Sequence, residues 1–189
     1  GAALYFWTPS SDNPSLHLVE AKRRQSAFNL NSRSFVTLQG LGIFAATITS
    51  DSQSQYLVLD GLKVQYVSHY SLIPTKTPQS IGVADSGITM NGRNNLLRNS
   101  SIAFSAGNGV AALGTGHRVI NNVIHDADYS GGYPAPIASA YSPASGVMIA
   151  WNTIYNAGRF GILHSAGNNS FTNGRILHND ISEYGLQTT

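Results

Sequence analysis

Apolar residues in this chain come in short runs that alternate with polar ones and stop at Gly, Asn, Ser or Pro, and the three-and-four spacing of an amphipathic helix is hard to find. The pattern predicts short strands joined by tight turns. The runs also repeat. FVTLQGLGI at 35 to 43 matches YLVLDGLKV at 56 to 64, with Gly40 and Gly61 in the same place 21 residues apart. Further on, LLRNSSIAF, VINNVIHD, MIAWNTIYN and ILHNDISE each set a strand isoleucine after an Asn- or Ser-rich step, giving the anchors Ile102, Ile124, Ile154 and Ile181. A second family of strands recurs at SGITM, NGVAAL and FGILH. Ile88 to Ile102 and Val110 to Ile124 both span 14 residues, so two strands per repeat keep a constant distance.

Repeats of about 20 to 30 residues built from short strands are the signature of a β-solenoid, an all-β fold whose coils stack at the ~4.8 Å strand spacing. Ile, Leu and Val then fill the bore, and Asn at the turns adopts left-handed backbone and bonds to its neighbours along the stack. Successive later anchors lie 22, 30 and 27 residues apart, which predicts constant strands with loops of variable length on the functional side. The chain reads as one β-helix domain, 1–189, or part of one. About 1–33 form early coils or an irregular leading segment, and 34–189 form regular coils.

Composition narrows the function. An apolar share of 42% supports a continuous core, while only 11% of residues are charged, against about 25% in an average domain. The surface therefore presents neutral hydrogen-bonding groups. Net charge is +2, and AKRR at 21 to 24 is the one basic cluster, read as a solvated turn; no nucleic-acid partner is expected. The absence of cysteine excludes disulfides, thiolate metal sites and a Cys nucleophile. No apolar run is long enough to span a bilayer, so no membrane partner is expected, and no signal peptide is present; if the protein is exported, its targeting segment lies outside this sequence.

With these repeats in view, the chain resembles the right-handed parallel β-helix of the pectate-lyase-like superfamily over roughly residues 30 to 189, most closely in VINNVIHDADYSGGY, NTIYNAGRFGI and LHNDISEYGLQTT. VEAKRRQSAFNLNSRSFVTLQGLGIF is similar to the early coils of large secreted bacterial β-helix proteins, several of them glycan-active. The resemblance implies a secreted or cell-surface bacterial protein whose partner is a polysaccharide or oligosaccharide. Members of the superfamily usually open with a capping helix, which this sequence lacks, and its C-terminus stops while a turn is in progress. The expectation is a fragment lacking terminal caps, the remainder belonging to a larger chain, or ends covered by a partner or by end-to-end self-association.

Aligning coils on their anchors places residues in columns. One position past the anchor come Ala103, His125, Tyr155 and Ser182; two past come Phe104, Asp126, Asn156 and Glu183. Asp126 and Glu183 then share a column two rungs apart, about 9 to 10 Å, close to the roughly 6.5–9.5 Å that separates the carboxyl groups of an inverting glycosidase. Asp126, Glu183 and Asp128 are the candidate catalytic residues. His125, Tyr129, Tyr133, Tyr155, Asn156 and Arg159 are the candidates for substrate binding. The loop DADYSGGYPAPIASAYSPASG, the largest insertion between anchors, is expected to wall a groove.

Other readings of the same residues stay open. Asp and Asn in β-helix turns also accept backbone N–H bonds without catalytic duty. Trp7 and Trp151 are weaker candidates for stacking on sugar. His164 and His178 form a distant metal pair with no third ligand at a recognisable spacing, so no metal site is assigned. The favoured function is a polysaccharide glycoside hydrolase without cofactor. The alternatives are a non-catalytic structural or glycan-binding solenoid that assembles end to end, and a polysaccharide lyase, which would use Ca²⁺ or Arg159 to neutralise a uronate. Lysines stop at Lys76, which counts against a lysine-dependent lyase.

Overall fold

The computed structural model describes residues 8, 10–19, 24–68, 86–129, 134–139, 144–164 and 171–186. They form a parallel β-helix, and among them the one helical element is the 3₁₀ turn Pro14–Leu16. Three parallel sheets of six strands each run the length of the solenoid. Sheet 1 stacks Ser26–Asn29, Thr47–Thr49, Ile88–Met90, Val110–Ala112, Ile137–Ala138 and Ile162–Leu163. Sheet 2 stacks Thr37–Gln39, Val58–Asp60, Leu96–Arg98, Arg118–Ile120, Met148–Ala150 and Arg175–Leu177. Sheet 3 stacks Gly42–Phe44, Lys63–Ser68, Ser101–Ser105, Val123–Ala127, Thr153–Ala157 and Asp180–Ile181. Every coil visits sheets 1, 2 and 3 in that order, and the last three coils add a two-residue strand between sheets 1 and 2.

The register agrees with the repeat seen in the sequence. Thr37 pairs Val58, and Ile102, Ile124, Ile154 and Ile181 pair in series on sheet 3. Inward positions carry Ile48, Ile88, Val110 and Ile137 on sheet 1, and Leu59, Leu97, Val119 and Ile149 on sheet 2, all buried. Side chains of nearly equal volume stacked at one rung spacing fill the bore without voids, which is why the anchors repeat so closely. Ser26–Asn29 already pairs Thr47–Thr49, so regular coiling begins inside the segment read as early coils.

The loop expected to be the largest insertion contributes strands to the solenoid. Ile137–Ala138 and Ala144–Ser145 are strands of the fifth coil, and Ala135, Ile137, Ala138 and Ala144 are buried. The strand Ile137–Ala138 points inward at the end of the apolar PAPIA run, among glycines and prolines. A longer connection joins Ser68 to Ile88, twenty positions where Ser105 to Val110 takes five; its residues 69–85 lie outside those described.

Corners repeat as faithfully as strands. Between sheets 2 and 3, Gly40, Gly61, Asn99, Asn121, Trp151 and His178 all have positive φ, from 52° to 65°. One left-handed residue turns the chain sharply, and Gly and Asn tolerate it best. The next residue points inward: Ser100, Asn122, Asn152 and Asn179 form a ladder there. Asn152 Oδ1 accepts from Asn122 N–H and Nδ2 at 3.0 Å each, while Asn152 Nδ2 donates to Val119 O and Asn179 Oδ1 at 2.9 Å. Each Asn thus satisfies backbone groups that the corner would otherwise strand away from water.

A second corner, before sheet 2, holds Asn95 and His117. Asn95 N–H donates to His117 Nδ1 at 3.2 Å, so the ring proton sits on Nε2 and donates to Leu113 O at 2.5 Å. Burial pushes His117 below its ordinary value of 6.5, because a buried imidazolium loses its hydration.

Asn152→Ala should lower unfolding free energy by about 2–4 kcal/mol, since Asn122 N–H and Val119 O lose their partner; urea denaturation measures it. For His117 the folded state stays neutral while the unfolded chain protonates below 6.5. Its stabilisation is full above that pH and is lost as pH falls through the lowered folded value. Stability measured between pH 7 and 5 should decline in the parent and decline less in His117→Asn, which keeps an acceptor for Asn95. Burial also lowers the pKa of His164, which leaves a smaller residual slope in the same direction.

Candidate functional site

Sheet 3 bends within its four middle strands and just past the end of its first and last. Two positions past the anchor, Ala45, Tyr66, Phe104, Asp126, Asn156 and Glu183 all adopt left-handed backbone, with φ between 50° and 59°. A single left-handed residue reverses the in-out alternation of a strand. The residues after it, Val67, Ser105, Ala127 and Ala157, are accordingly buried. Positions one and two past the anchor therefore both sit on the outer side, which is what brings His125 beside Asp126 and Tyr155 beside Asn156. Asp and Asn suit this backbone; Tyr66, Phe104 and Glu183 do not.

Asp126 is gripped from both sides. His125 Nδ1 lies 2.5 Å from its Oδ2, and Asn156 Nδ2, from the next coil, donates to its Oδ1. With the carboxylate accepting from Nδ1–H, the neutral imidazole carries its lone pair on Nε2. The ring plane is fixed as well: His125 stacks on Tyr155 at 4.7 Å and 2° between planes, and meets the edge of Phe104 at 5.9 Å. Beside this centre opens a hollow of about 140 Å³, lined by Phe104, Asp126, Tyr129, Asn156, Gly158 and Leu186. Burial, helped by Tyr66, pushes Tyr129 above its ordinary value of 10.0, so its phenol stays neutral and can donate near pH 7.

The other residues singled out in the sequence fall in different places. Glu183 is exposed and keeps the column position expected of it, two rungs from Asp126 with Asn156 between them. Asp128 was expected to act with Asp126, but it is fully buried behind the fifth coil. A Cβ on Gly158 would come within 1.9 Å of Asp128 O and 3.2 Å of its Oδ2. Asp128 also has positive φ, 58°, which turns it away from the outer face. Arg159 lies over Phe160, 4.9 Å from the ring centre, and lines a separate hollow of about 490 Å³ with Ile162, Ile176, Ile181 and Tyr184. Tyr133 and Trp7 lie outside the described residues.

His164 and His178 do not form a pair. His164 Nδ1 contacts Ser139 Oγ at 2.7 Å beyond sheet 1, whereas His178 stacks on Trp151 at the corner of sheets 2 and 3. Among the described residues, no three His, Asp or Glu side chains converge as a metal ion would require.

What the sequence reading missed is a row of rings. Phe44, Tyr66 and Phe104 continue the line of His125 and Tyr155 along sheet 3. The row steps from the first outer position to the second and back, so no single column of the alignment displays it.

The family comparison agrees with this architecture. Residues 81–189 match the family model described as right handed beta helix region, and the chain belongs to that family. No curated protein sequence matches it. A solved structure similar to this chain is the A-module of mannuronan C-5 epimerase AlgE4 from Azotobacter vinelandii. It aligns with a TM-score of 0.41 and 16% identity over 83% of this chain and 54% of that one, so this chain spans about half of that module's length.

Gly158 marks the tightest approach between coils near the site. Gly158→Ala should lower stability by about 1–3 kcal/mol through forced backbone displacement, visible as a lower urea midpoint.

Proposed function

We propose that this β-helix is a carbohydrate-active protein that hydrolyses a polysaccharide at the outer face of sheet 3, with His125 and Asp126 as one proton-handling unit and Glu183 as the second carboxyl group. The observation that carries the reading is the two-sided grip on Asp126 in the wall of an open hollow. N–H donors on both oxygens orient the carboxylate, and the carboxylate in turn orients the imidazole, leaving Nε2 as the nitrogen that exchanges a proton. Glu183 stands two rungs along the same column, about 9.6 Å by backbone spacing. That suits an inverting pair once the side chains lean together.

In such a pair one group protonates the glycosidic oxygen while the other takes a proton from the water that attacks the anomeric carbon from the opposite face. Tyr129 donates its phenol to a sugar hydroxyl, and Tyr155 holds the plane of His125. The hydrolase needs no cofactor. The reading also carries a secreted or cell-surface location in a bacterium, where such polymers are met.

A second reading, a non-catalytic glycan-binding solenoid, is favoured by the backbone itself: left-handed φ at Asp126 and Asn156 accounts for an acid and an amide there without chemistry. A lyase, with Ca²⁺ or arginine against a uronate, has less in its favour because Arg159 lines a different hollow.

The deciding experiment incubates the chain and its Asp126→Asn, Glu183→Gln and His125→Ala variants with plant, algal and bacterial polysaccharides, recording reducing ends and the absorbance of unsaturated uronates. Hydrolysis predicts reducing ends without unsaturation, reduced about 100-fold or more in each variant. Unsaturated product would replace the hydrolase with the lyase. Binding without product would leave the non-catalytic solenoid.

A further inference from the structure

The row of rings on sheet 3 extends well past the centre at Asp126. Phe44, Tyr66, Phe104, His125 and Tyr155 come from five successive coils, with ring centres 5.1, 4.8, 5.9 and 4.7 Å apart in turn. Those steps follow the ~4.8 Å rung spacing, so the row runs parallel to the solenoid axis, and Phe44 lies three coils from Asp126. Phe44 is 71% exposed and Tyr66 47%.

Stacking alone does not account for this placement. Ring pairs gain from contact, and they would gain more if they were also buried. Tyr66 and Phe104 moreover sit on left-handed backbone, with φ of 55° and 59°. This conformation is strained for a bulky side chain. Phe35 and Tyr56, at the corner before sheet 2, are also left-handed, exposed and stacked, at 5.0 Å, so strain is not what sets the sheet 3 rings apart. Their continuity over five coils up to the hollow at Asp126 does, and it points to an extended ligand.

Charge narrows the ligand. Among the described residues, the charged side chains on the outer positions of the sheet 3 strands are Lys63 toward one end and Asp126, Asp180 and Glu183 toward the other. Within the five coils of the row these are one of each sign, Lys63 and Asp126, so a uronate polymer gains no net attraction there, and one reaching Asp180 and Glu183 on the sixth coil is repelled, whereas a neutral polymer meets neither effect. The apolar C–H faces of its pyranose rings fit flat aromatic faces.

We infer that the row is a track for a neutral polysaccharide laid along the solenoid axis, with Phe44 and Tyr66 as binding platforms remote from the reacting bond. The inference rests on the proposed glycan site and is continuous with it, because Phe104 belongs both to the row and to the hollow at Asp126. The track makes affinity depend on chain length.

The test measures binding of the full chain to xylan, galactomannan and mixed-linkage β-glucan, with polygalacturonate as the acidic comparator, and then titrates the hexasaccharide and disaccharide of the best binder. The Phe44→Ala/Tyr66→Ala double variant should bind the hexasaccharide about tenfold more weakly and the disaccharide as the parent does. Phe44→Ala, at the open end of the row, provides a variant whose fold is least at risk and should show part of the same loss. Neutral-polymer binding should also persist in about 0.5 M salt. Unchanged hexasaccharide affinity in the folded variants would overturn the track, as would no binding of any neutral polymer. Tighter, salt-sensitive binding of polygalacturonate would overturn the neutral class. The catalytic reading fails separately: if Asp126→Asn leaves product formation intact while ring variants lose binding, the track stands and the acid–base assignment falls.

Discussion

Everything in this molecule depends on each coil turning its corners directly above those of the coil before. A parallel solenoid has no other way to keep its strands in register, and a slip of one residue would move every inward isoleucine to the outside. The corners achieve this with one left-handed residue apiece, followed in the later coils between sheets 2 and 3 by an inward polar side chain. Asn122, Asn152 and Asn179 bond both the turn of the neighbouring coil and a carbonyl of the strand beneath. The ladder therefore sets where the chain bends and supplies the hydrogen bonds that a bent backbone cannot find for itself. His117 and Asn95 repeat the device at a second corner, with a neutral imidazole in place of an amide.

The third left-handed column has a different outcome, because it falls inside a strand. Reversing the alternation there turns two consecutive side chains of a coil toward the same outer face, where an ordinary strand would send one of them inward. A fold bent in this way can place His125 against Asp126, lay Asn156 across from the next coil, and line up rings between coils. The local chemistry is thus a consequence of the bend. A column tolerant of Asp and Asn naturally acquires polar residues, and the rings at Tyr66 and Phe104 are the part that backbone preference does not explain.

The fold was legible in the sequence because its physics is periodic. The match of Gly40 with Gly61, and the anchors Ile102, Ile124, Ile154 and Ile181, determine strand register and coil length directly. The column holding Asp126, Asn156 and Glu183 was legible for the same reason. Three things were not. Ile137–Ala138 lay among prolines and glycines and looked like a loop. Asp128 follows Asp126 at the same spacing as an outward residue would, but the reversed phase and its own positive φ send it inward. The ring row changes position between the first and second coils and again between the third and fourth, and it emerges only once the bend shows that both positions share a face. Periodicity reports which residues stack; it does not report which way a bent strand points them.

The central claim is that the outer face of sheet 3 holds a glycan along the axis and presents it to His125 and Asp126. The most direct measurement is a crystal structure of the Asp126→Asn protein with a bound neutral hexasaccharide. The account predicts sugar rings over Tyr66, Phe104 and His125, with a glycosidic oxygen near His125 Nε2. A ligand seated on sheet 1 or sheet 2, or running across the coils instead of along them, would contradict it.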